Sequence, residues 1–333
     1  MKFKVLATDG MDQIAAEALK KNSYFELEVR KETPREEFHA IAKSADFIIL
    51  RSATKIKAAD FEALPNLKGV IRAGVGIDNV DLEAAKKSGV YVWNAPTGNF
   101  LATAEHAIAL TFSLLRAIPF SHSASRLGVW AKKEASSLGR QIQGTYLGLY
   151  GCGNIGSRVV KIASAAGMKV GIFDPYLKVT PEGAELLSAD ELLSKSDVIT
   201  IHTPMTSETK GFFNYDRMMK MKKGSYLVNA ARGGIIVEAD LLRALQEGHL
   251  AAAALDVYET EPFSFDNPMS KALLEHPRVI ATPHIAASTR EAQAAVGMEC
   301  VEKLSAIAAA VTEKNEALMP KFLAAGSFSK LST

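Results

Sequence analysis

The sequence predicts an α/β protein made of two doubly wound parallel sheets with a cleft between them. Three observations favour this fold class. Short β-rich apolar runs alternate with helix-forming stretches along the 333 residues, which is the pattern of parallel sheets covered by helices. The length exceeds what one hydrophobic core usually organises, so two domains are expected. Polar residues follow many of the apolar runs, as they do where open α/β sheets bind ligands.

The apolar runs fall into two sets, one for each expected sheet. The first set predicts strands at Lys4–Thr8, Glu26–Arg30, Phe47–Leu50, Val70–Ala73 and Val90–Trp93. The second set predicts strands at Tyr146–Tyr150, Lys169–Phe173, Val198–Ile201, Tyr226–Asn229, Ala252–Leu255 and Val279–Ala281. Six strands in the second set are enough for a complete dinucleotide-binding sheet.

A turn-rich stretch, NAPTGN at 94–99, marks the border between the two domains. The helical pattern Ala102–Leu115 then carries the chain into the second domain. Ser288 and Glu291 have the spacing of a capping box, so a helix beginning near Thr289 is expected to carry the chain back. The first domain is therefore expected to be discontinuous, at 1–98 and 288–333, around a second domain at 99–287.

Composition excludes several classes of protein. Hydrophobic residues make up 48% and charged residues 23%, and the formal charge of +2 gives no reason to expect binding to nucleic acid. Two cysteines, Cys152 and Cys300, make no disulfide framework, and no zinc-ligand spacing is present, so no metal is expected. The N-terminal MKFKVLATDG reads as a strand and turn, and no apolar run approaches the roughly 20 residues of a membrane helix. These features predict a cytoplasmic protein.

The stretch Tyr146–Tyr176 carries the strongest local signal. Gly151, Gly153 and Gly156 follow an apolar strand and open a helix, and a second strand ends at Asp174. In this fingerprint the glycines permit a tight turn, close approach of a pyrophosphate and close helix–strand packing. Asp174 would accept hydrogen bonds from the ribose hydroxyls and repel a 2′-phosphate, which favours NAD over NADP. The domain is therefore expected to be Rossmann-like.

Three charged or titratable residues follow later strands of the same domain, namely Arg232, Glu261 and His284. Parallel strands end at one edge, so the three side chains could converge. Oxidation of an alcohol by NAD needs a base such as histidine, a carboxylate that fixes the imidazole, and a guanidinium that binds a substrate carboxylate. Taken singly, each has an ordinary alternative: a surface ion pair, a turn residue and a packed histidine.

Seven stretches carry a resemblance to a known family: RSATKI, RAGVGIDNVDLEAA, GCGNIG, HTPMTSET, VNAARGGIIVEADLLRAL, AALDVYETEP and TPHIAAST. Over nearly its full length the chain resembles the D-isomer-specific 2-hydroxyacid dehydrogenases. The resemblance implies that Arg232, Glu261 and His284 are the catalytic set. It also implies a substrate-binding domain made from the two ends of the chain, a central NAD domain and a homodimer.

The resemblance implies a set of NAD contacts as well. They fall on Val75, Gly151, Gly153, Asn154, Ile155, Gly156, Asp174, Thr203, Pro204, Ala230, Ala231, Asp256, His284 and Ala286. Asp256 would accept a hydrogen bond from the nicotinamide carboxamide, and Val75 would lie beside the same ring. Val75 and Ala286 depart from the family, which often has threonine and glycine at these positions.

The substrate is expected to carry both a carboxylate and a phosphate. Arg51 and Arg72 each follow a strand of the first domain and would supply positive charge for the phosphate, whereas surface salt bridges are the alternative role. The expected substrate-binding residues are Arg51, Ser52, Arg72, Gly74, Val75, Gly76, Arg232 and His284. Lys132 and Lys133 could reach a partner subunit, although a solvated surface is the simpler interpretation.

Within the family the chain most resembles the enzymes that oxidise 3-phospho-D-glycerate to 3-phosphohydroxypyruvate, the first step of phosphorylated serine biosynthesis. The resemblance is to a short form without a C-terminal regulatory domain. Two alternatives stay open: a hydroxypyruvate or glyoxylate reductase with the same catalytic residues, and an NAD-sensing scaffold of the co-repressor type.

Overall fold

A computed structural model describes residues 2–134 and 139–331 of the chain. These residues divide into two compact units. Residues up to Asn99 and those from Ser288 onward form the first unit, and Phe100–Ala287 form the second. The predicted boundaries, 98/99 and 287/288, lie within one residue of this division.

The first unit contains one five-stranded parallel sheet. Its strands are β1 (Phe3–Ala7), β2 (Phe25–Val29), β3 (Phe47–Leu50), β4 (Gly69–Arg72) and β5 (Tyr91–Asn94). They lie in the order β2-β1-β3-β4-β5. This is the flavodoxin-like order of a doubly wound sheet, and it confirms the predicted fold class for this unit.

The second unit contains a seven-stranded parallel sheet. Its strands are β6 (Tyr146–Tyr150), β7 (Lys169–Phe173), β8 (Ala184–Leu186), β9 (Val198–Ile201), β10 (Ser225–Asn229), β11 (Leu250–Leu255) and β12 (Val279–Ala281). The order is β12-β11-β10-β9-β6-β7-β8, which is a Rossmann arrangement with one further strand. Strand succession reverses between β6 and β9, so the glycine-rich turn after β6 stands at the switch point where such sheets bind ligands.

Helices connect the strands in both units. In chain order the helices are α1 (Gln13–Lys21), α2 (Phe38–Ala42), α3 (Ala58–Ala63), α4 (Leu82–Lys87), α5 (Phe100–Leu115), α6 (Ile118–Arg126), α7 (Gly156–Ala165), α8 (Ala189–Lys195), α9 (Tyr215–Met219), α10 (Glu238–Gln246), α11 (Pro268–Leu274), α12 (Arg290–Thr312) and α13 (Phe328–Leu331). Short 3₁₀ turns lie at Thr97–Asn99 and Glu316–Leu318.

Each sheet is buried on both faces because helices pack on both sides. Successive strand residues point to opposite sides and therefore contact different helices. In the first unit Ile71 packs with residues of α1 and α12, whereas its neighbour Val70 packs with residues of α2, α3 and α4. The second sheet is covered in the same way, and α5 lies on one of its faces. Continuous burial explains why the strands read as unbroken apolar runs in the sequence.

All eleven predicted strands are present, with ends displaced by at most two residues. The short strand β8 was missed because Ala184–Leu186 lies at the sheet edge and lacks an apolar run. The expected six-stranded sheet therefore has seven strands. The predicted cap of α12 was also wrong by one residue: Thr289, rather than Ser288, occupies the cap position, and its hydroxyl accepts from the Ala292 N–H at 3.1 Å.

Both cysteines are buried and unpaired. Burial is the main cause that raises the pKa of the Cys152 thiol to about 11 and that of Cys300 to about 12. Within the described ranges no single helix is long and apolar enough to cross a membrane. The helical segments at 97–115 and 118–126, which are bent relative to each other, are together long and apolar enough, by length and composition only.

A buried carboxylate fixes the loop after β3 in the first unit. Asp60 is fully buried, and its oxygens accept from Arg35 Nη2 at 2.6 Å, from His39 Nε2 at 2.6 Å and from the Lys57 N–H at 2.8 Å. Burial alone would raise the pKa of Asp60, but the bonds from Arg35, Lys57 and His39 together lower it below the ordinary aspartate value. The ionised form is therefore the one that the fold stabilises.

We expect Asp60→Asn to lower the free energy of unfolding at pH 7 by about 1–3 kcal/mol, since hydrogen bonds to a charged group are lost. Because the folded pKa is depressed, this contribution is complete above the ordinary pKa of 3.8 and declines as the pH falls through the folded value. Denaturant titration followed by the fluorescence of buried Trp93 measures the difference at each pH.

Asp81→Asn is the matched control, because Asp81 caps α4 at the surface and asparagine caps equally well. A difference between wild type and Asp60→Asn that grows as the pH is lowered below 4 would contradict the assignment.

Candidate active site

The glycine-rich turn after β6 has the geometry of a phosphate loop. Gly151 has φ +95°, and a Cβ there would lie 2.8 Å from the His202 carbonyl oxygen, so only glycine fits. At Gly156 a Cβ would lie 2.8 Å from the Gly151 carbonyl oxygen, which shows how closely α7 approaches the turn. At Gly153 a Cβ would meet nothing within 4 Å. Packing thus explains two of the glycines, and the open space beside the third suits a ligand.

The first turn of α7 is available to an anion. Ile155 occupies the cap position with an apolar side chain that forms no capping bond, and the first turn contains no acidic residue. The Ser157 and Arg158 N–H groups bond to the Gly153 and Ile155 carbonyls, and the positive end of the helix dipole favours negative charge at the turn. Asp174 directly follows β7, and its Oδ2 accepts from the Cys152 N–H at 2.8 Å. These residues fit the diphosphate and ribose of a dinucleotide.

The Arg232 loop leaves the carboxyl end of β10, where buried Asn229 holds it. The Asn229 side chain accepts from the Ala231 N–H at 3.0 Å and donates to the Arg232 carbonyl at 2.9 Å. Arg232 itself donates from Nη1 to the Ala231 carbonyl at 2.7 Å and stays partly exposed. The guanidinium is therefore held at the edge of the sheet without being buried.

Glu261 and His284, from the loops after β11 and β12, form a hydrogen-bonded pair. The Glu261 Oε2 and His284 Nδ1 atoms are 2.6 Å apart. The two side chains are 34% and 40% exposed respectively, so the pair can be reached by a ligand. With Nδ1 turned toward a carboxylate, the neutral imidazole carries its proton on Nδ1, and Nε2 is left as the acceptor.

Glu261 is kept ionised by its neighbours. Burial would raise the pKa of this carboxyl, but the hydrogen bond and charge of His284, the Tyr258 N–H and the charge of Arg232 together lower it. The Tyr258 N–H donates to the Glu261 Oε1 at 3.0 Å. Arg232, Glu261 and His284 thus interact within one unit, as the strand order predicts.

His284 lies in a strained backbone conformation that Asp256 holds in place. Its φ is +53°, a left-handed value that is uncommon outside glycine although histidine is among the residues enriched there. The fully buried Asp256 carboxylate accepts from the Ile285 N–H at 2.8 Å and from the Ala286 N–H at 2.9 Å. The Thr282 hydroxyl donates to the same carboxylate at 2.6 Å. Both sides of His284 are therefore anchored.

Burial would raise the pKa of Asp256, but the bonds from His106, Thr282, Ile285 and Ala286 together lower it. The carboxylate is thus ionised and already accepts several hydrogen bonds. The hydrogen bonds of Asp256 hold the loop of His284 in place. A bond to the nicotinamide carboxamide stays a prediction.

The other predicted NAD contacts of this unit lie at strand ends on the same edge of the sheet. Thr203 and Pro204 follow β9, Ala230 and Ala231 follow β10, and Ala286 follows β12. Asn154 and Ile155 belong to the turn before α7. Within the described ranges no group of three or more His, Cys, Asp and Glu side chains is arranged to hold a metal ion.

In the first unit Arg51 follows β3, and Arg72 ends the neighbouring β4. The backbone around Arg51 is fixed by Asp9, whose carboxylate accepts from the Arg51 N–H at 2.7 Å, and by Asn79, which donates to the Arg51 carbonyl at 2.6 Å. The Arg72 guanidinium lies across Gly74, where a Cβ would be 1.6 Å from Nη1. Ser52 is exposed, and Val75 and Gly76 are partly exposed.

Sequence reasoning missed the residues that hold the loops. Asn229 ends a predicted strand, so its position as a polar residue at a strand end could have marked it. Tyr258 donates from its hydroxyl to the Thr282 carbonyl at 2.9 Å, which joins the loops of Glu261 and His284. His106, from the middle of α5, has Nε2 3.4 Å from the Asp256 Oδ1. Nothing in an apolar helix marks such a histidine.

Comparison with known proteins identifies the family of this site. Residues 108–286 match the family model described as "D-isomer specific 2-hydroxyacid dehydrogenase, NAD binding domain". D-3-phosphoglycerate dehydrogenase of Bacillus subtilis is 42% identical over 306 residues, which cover 91% of this chain and 56% of that protein. Hydroxypyruvate reductase of Thermotoga maritima is 40% identical over 304 residues, which cover 91% of this chain and 97% of that protein.

A solved structure agrees in fold and cofactor. The NAD-dependent formate dehydrogenase of Staphylococcus aureus in complex with NAD has a TM-score of 0.85 and 28% identity, covering 97% of this chain and 100% of that one. The chain spans little more than half the length of the Bacillus relative. The family and the NAD cofactor predicted from the motifs are confirmed. The chain belongs to the D-isomer specific 2-hydroxyacid dehydrogenase family, and its central part is that family's NAD-binding domain.

Proposed function

We propose that the protein oxidises 3-phospho-D-glycerate to 3-phosphohydroxypyruvate with NAD as the hydride acceptor. The observation that carries the proposal is the Glu261–His284 pair at 2.6 Å, in the same unit as the phosphate loop and close enough to Arg232 for its charge to act on Glu261. These groups are the ones that oxidation of a 2-hydroxy acid requires.

His284 is the proposed acid–base group. Its Nε2 accepts the proton of the substrate hydroxyl, and the positive charge that forms on the imidazole is stabilised by the ionised Glu261 at Nδ1. In the reverse direction the same Nε2 returns the proton. The glycine-rich turn and Asp174 would hold NAD, which would supply the acceptor for the hydride of the hydroxyl-bearing carbon.

Arg232 is the proposed anchor of the substrate carboxylate. A guanidinium binds a carboxylate through two parallel hydrogen bonds, which fixes the orientation of the neighbouring hydroxyl. Asn229 fixes the backbone of the loop, and the bond from Nη1 to the Ala231 carbonyl holds the guanidinium. Pre-positioning of this kind lowers the activation barrier by aligning the reacting groups in advance.

We expect His284→Asn to lower kcat by about 10²–10⁴-fold, the usual contribution of a positioned acid–base group. Asparagine is chosen because it tolerates the left-handed backbone at this position, so that loss of the imidazole is separated from strain. Steady-state production of NADH measures kcat.

The matched control is His276→Gln, at a histidine that precedes β12 on the opposite edge of the same sheet. It should behave like the wild-type protein. A near-normal kcat in His284→Asn would show that His284 is not the acid–base group.

The phosphate of the substrate is assigned to the first unit. Arg51 and Arg72 lie at the carboxyl ends of neighbouring strands. The Arg51 backbone is fixed because its N–H donates to Asp9 and its carbonyl accepts from Asn79. Two guanidinium groups suit a dianion better than they suit an uncharged hydroxymethyl group. The names of the relatives at 42% identity support the same substrate.

Reduction of hydroxypyruvate is the second candidate. It needs the same acid–base pair and Arg232 but no phosphate site. The Thermotoga relative supports it because the match covers nearly all of that enzyme.

Arg51→Ala is expected to raise the KM for 3-phospho-D-glycerate by about tenfold to a hundredfold, the range for a lost charge-assisted hydrogen bond. The KM for hydroxypyruvate should change by no more than about threefold, because that substrate lacks the phosphate. Arg72→Ala is expected to act in the same direction. NADH production and consumption with the two substrates measure both constants.

Lys55→Ala is the control, since it removes an exposed cation from the same loop. Equal losses on both substrates in Arg51→Ala would refute the phosphate assignment and favour the reductase.

A homodimer formed through the second unit is part of the proposal. None of the residues of α6, which the structure describes throughout, is buried, and apolar side chains follow it with Leu127 81% and Trp130 88% exposed. The same unit has a largely apolar groove of about 370 Å³ lined by Leu114, Ile280 and, from α6, Phe120. Large exposed apolar side chains and an apolar groove are typical of a subunit interface.

Replacing Leu127 and Trp130 together by serine is expected to shift the protein from dimer to monomer, because apolar area that drives association is lost. Sedimentation velocity across a concentration series measures the change. Ile14→Ser removes an exposed apolar residue from α1 and should leave the sedimentation coefficient unchanged. A wild-type protein that sediments as a monomer at every concentration would overturn the dimer.

A further inference from the structure

Two glutamates outside the catalytic set hold each other's backbone. The Glu238 N–H donates to the Glu259 Oε1 at 2.9 Å, and the Glu259 N–H donates to the Glu238 Oε1 at 2.7 Å. Glu238 is the buried first residue of α10, and Glu259 is an exposed residue of the loop after β11. The two residues thus bind reciprocally across 21 positions of sequence. We call them the glutamate clasp.

The clasp caps the N-terminus of α10. The residue at the cap position, Val237, has an apolar side chain that makes no capping bond. The first N–H groups of a helix have no partner within the helix, and a carboxylate placed there is favoured by the helix dipole. The Glu259 carboxylate supplies that partner from another loop. Capping alone, however, does not require Glu238 to bind back.

The return bond acts on the segment that carries the catalytic carboxylate. Glu259 lies two residues before Glu261, and the preceding Tyr258 N–H donates to the Glu261 Oε1. One peptide unit therefore separates the N–H that binds Glu238 from the N–H that binds Glu261. Only the φ and ψ angles of Tyr258 lie between the two groups, so holding the Glu259 N–H restricts the direction of the Tyr258 N–H.

The clasp also reaches the Arg232 loop. Gly233 lies against the Tyr258 carbonyl so closely that a Cβ at Gly233 would be 1.7 Å from the oxygen. From Gly233 the chain passes through buried Ile235 and Ile236 into α10, where Glu238 closes the clasp. The loops of Arg232 and Glu261 are thus joined at two points, by backbone packing and by the clasp.

Glu238 occupies an unfavourable place for a carboxyl group. Burial raises its pKa, and the charges of Glu259 and Glu261 act in the same direction against the Glu259 N–H bond. The same oxygen accepts from the Glu259 N–H whether the group is protonated or ionised. A neutral acceptor of the same shape should therefore preserve the bond.

We infer that Glu238 and Glu259 are positioning residues, which set the geometry of Arg232 and Glu261 through their reciprocal backbone bonds without touching the substrate. This inference rests on the proposed function of Arg232 and Glu261. The start of α10 therefore influences the reaction although it is far from Glu261 in the sequence.

The test compares Glu238→Ala with Glu238→Gln. Glu238→Ala should lower kcat by about tenfold to a hundredfold, as expected when a catalytic group is displaced by about 1 Å, whereas the KM for NAD stays near the wild-type value. Glu238→Gln keeps the acceptor oxygen and should restore kcat to within about threefold of wild type. Glu259→Ala, at an exposed position, repeats the test if Glu238→Ala does not fold.

Asp240→Ala is the matched control. Asp240 lies in the same turn of α10, and its carboxylate accepts from the Tyr215 N–H at 2.9 Å, so its loss frees a comparable bond to a different segment. Its kcat should equal that of the wild type. If Asp240→Ala and Glu238→Ala lower kcat alike, or if Glu238→Gln does not rescue, the clasp is only a structural tie and the inference fails.

Hydrogen exchange separates this failure from failure of the proposed function. Glu238→Ala should speed the exchange of the amides at 258–261, whereas Asp240→Ala should speed exchange at 215. This readout requires no substrate. A wild-type protein that binds NAD but oxidises no 2-hydroxy acid would overturn the proposed function, while unchanged exchange at 258–261 in Glu238→Ala would overturn the clasp itself.

Discussion

The site depends on one buried carboxylate. Asp256 accepts hydrogen bonds from the residues on both sides of His284, and these bonds hold His284 in a left-handed backbone conformation that costs about 1–3 kcal/mol in isolation. A rigid scaffold beneath the loop is what allows such a conformation to persist. The imidazole consequently lies beside Glu261 with its Nδ1 bonded to the carboxylate and its Nε2 left as an acceptor.

The three loops that carry Arg232, Glu261 and His284 are tied together by groups that take no direct part in the chemistry. Tyr258 joins the second loop to the third through its hydroxyl, and its carbonyl packs on Gly233 of the first. Each tie uses a backbone group as one partner. Such ties hold the main chain itself, so the point from which each catalytic side chain starts is fixed.

The sequence predicted what depends on strand pattern and motif. Eleven strands and the phosphate loop follow from apolar runs and from the glycine motif, and the convergence of Arg232, Glu261 and His284 was expected because parallel strands end at one edge. It missed β8, whose three residues lack an apolar run, and it placed the cap of α12 on Ser288 where Thr289 has the extended backbone that a cap needs. It also missed His106 and the clasp, because long-range polar contacts between a helix and a distant loop leave no periodic signature.

The left-handed backbone at His284 has an evolutionary consequence. Side chains branched at Cβ are excluded from that region by steric contact with the backbone, whereas glycine, asparagine and aspartate enter it readily. Descendants that lose the reaction but keep the fold therefore have few amino acids open to them at this position. The backbone conformation thus limits which substitutions accumulate at this position. A relative with valine or isoleucine there is expected to have a different backbone conformation in this turn.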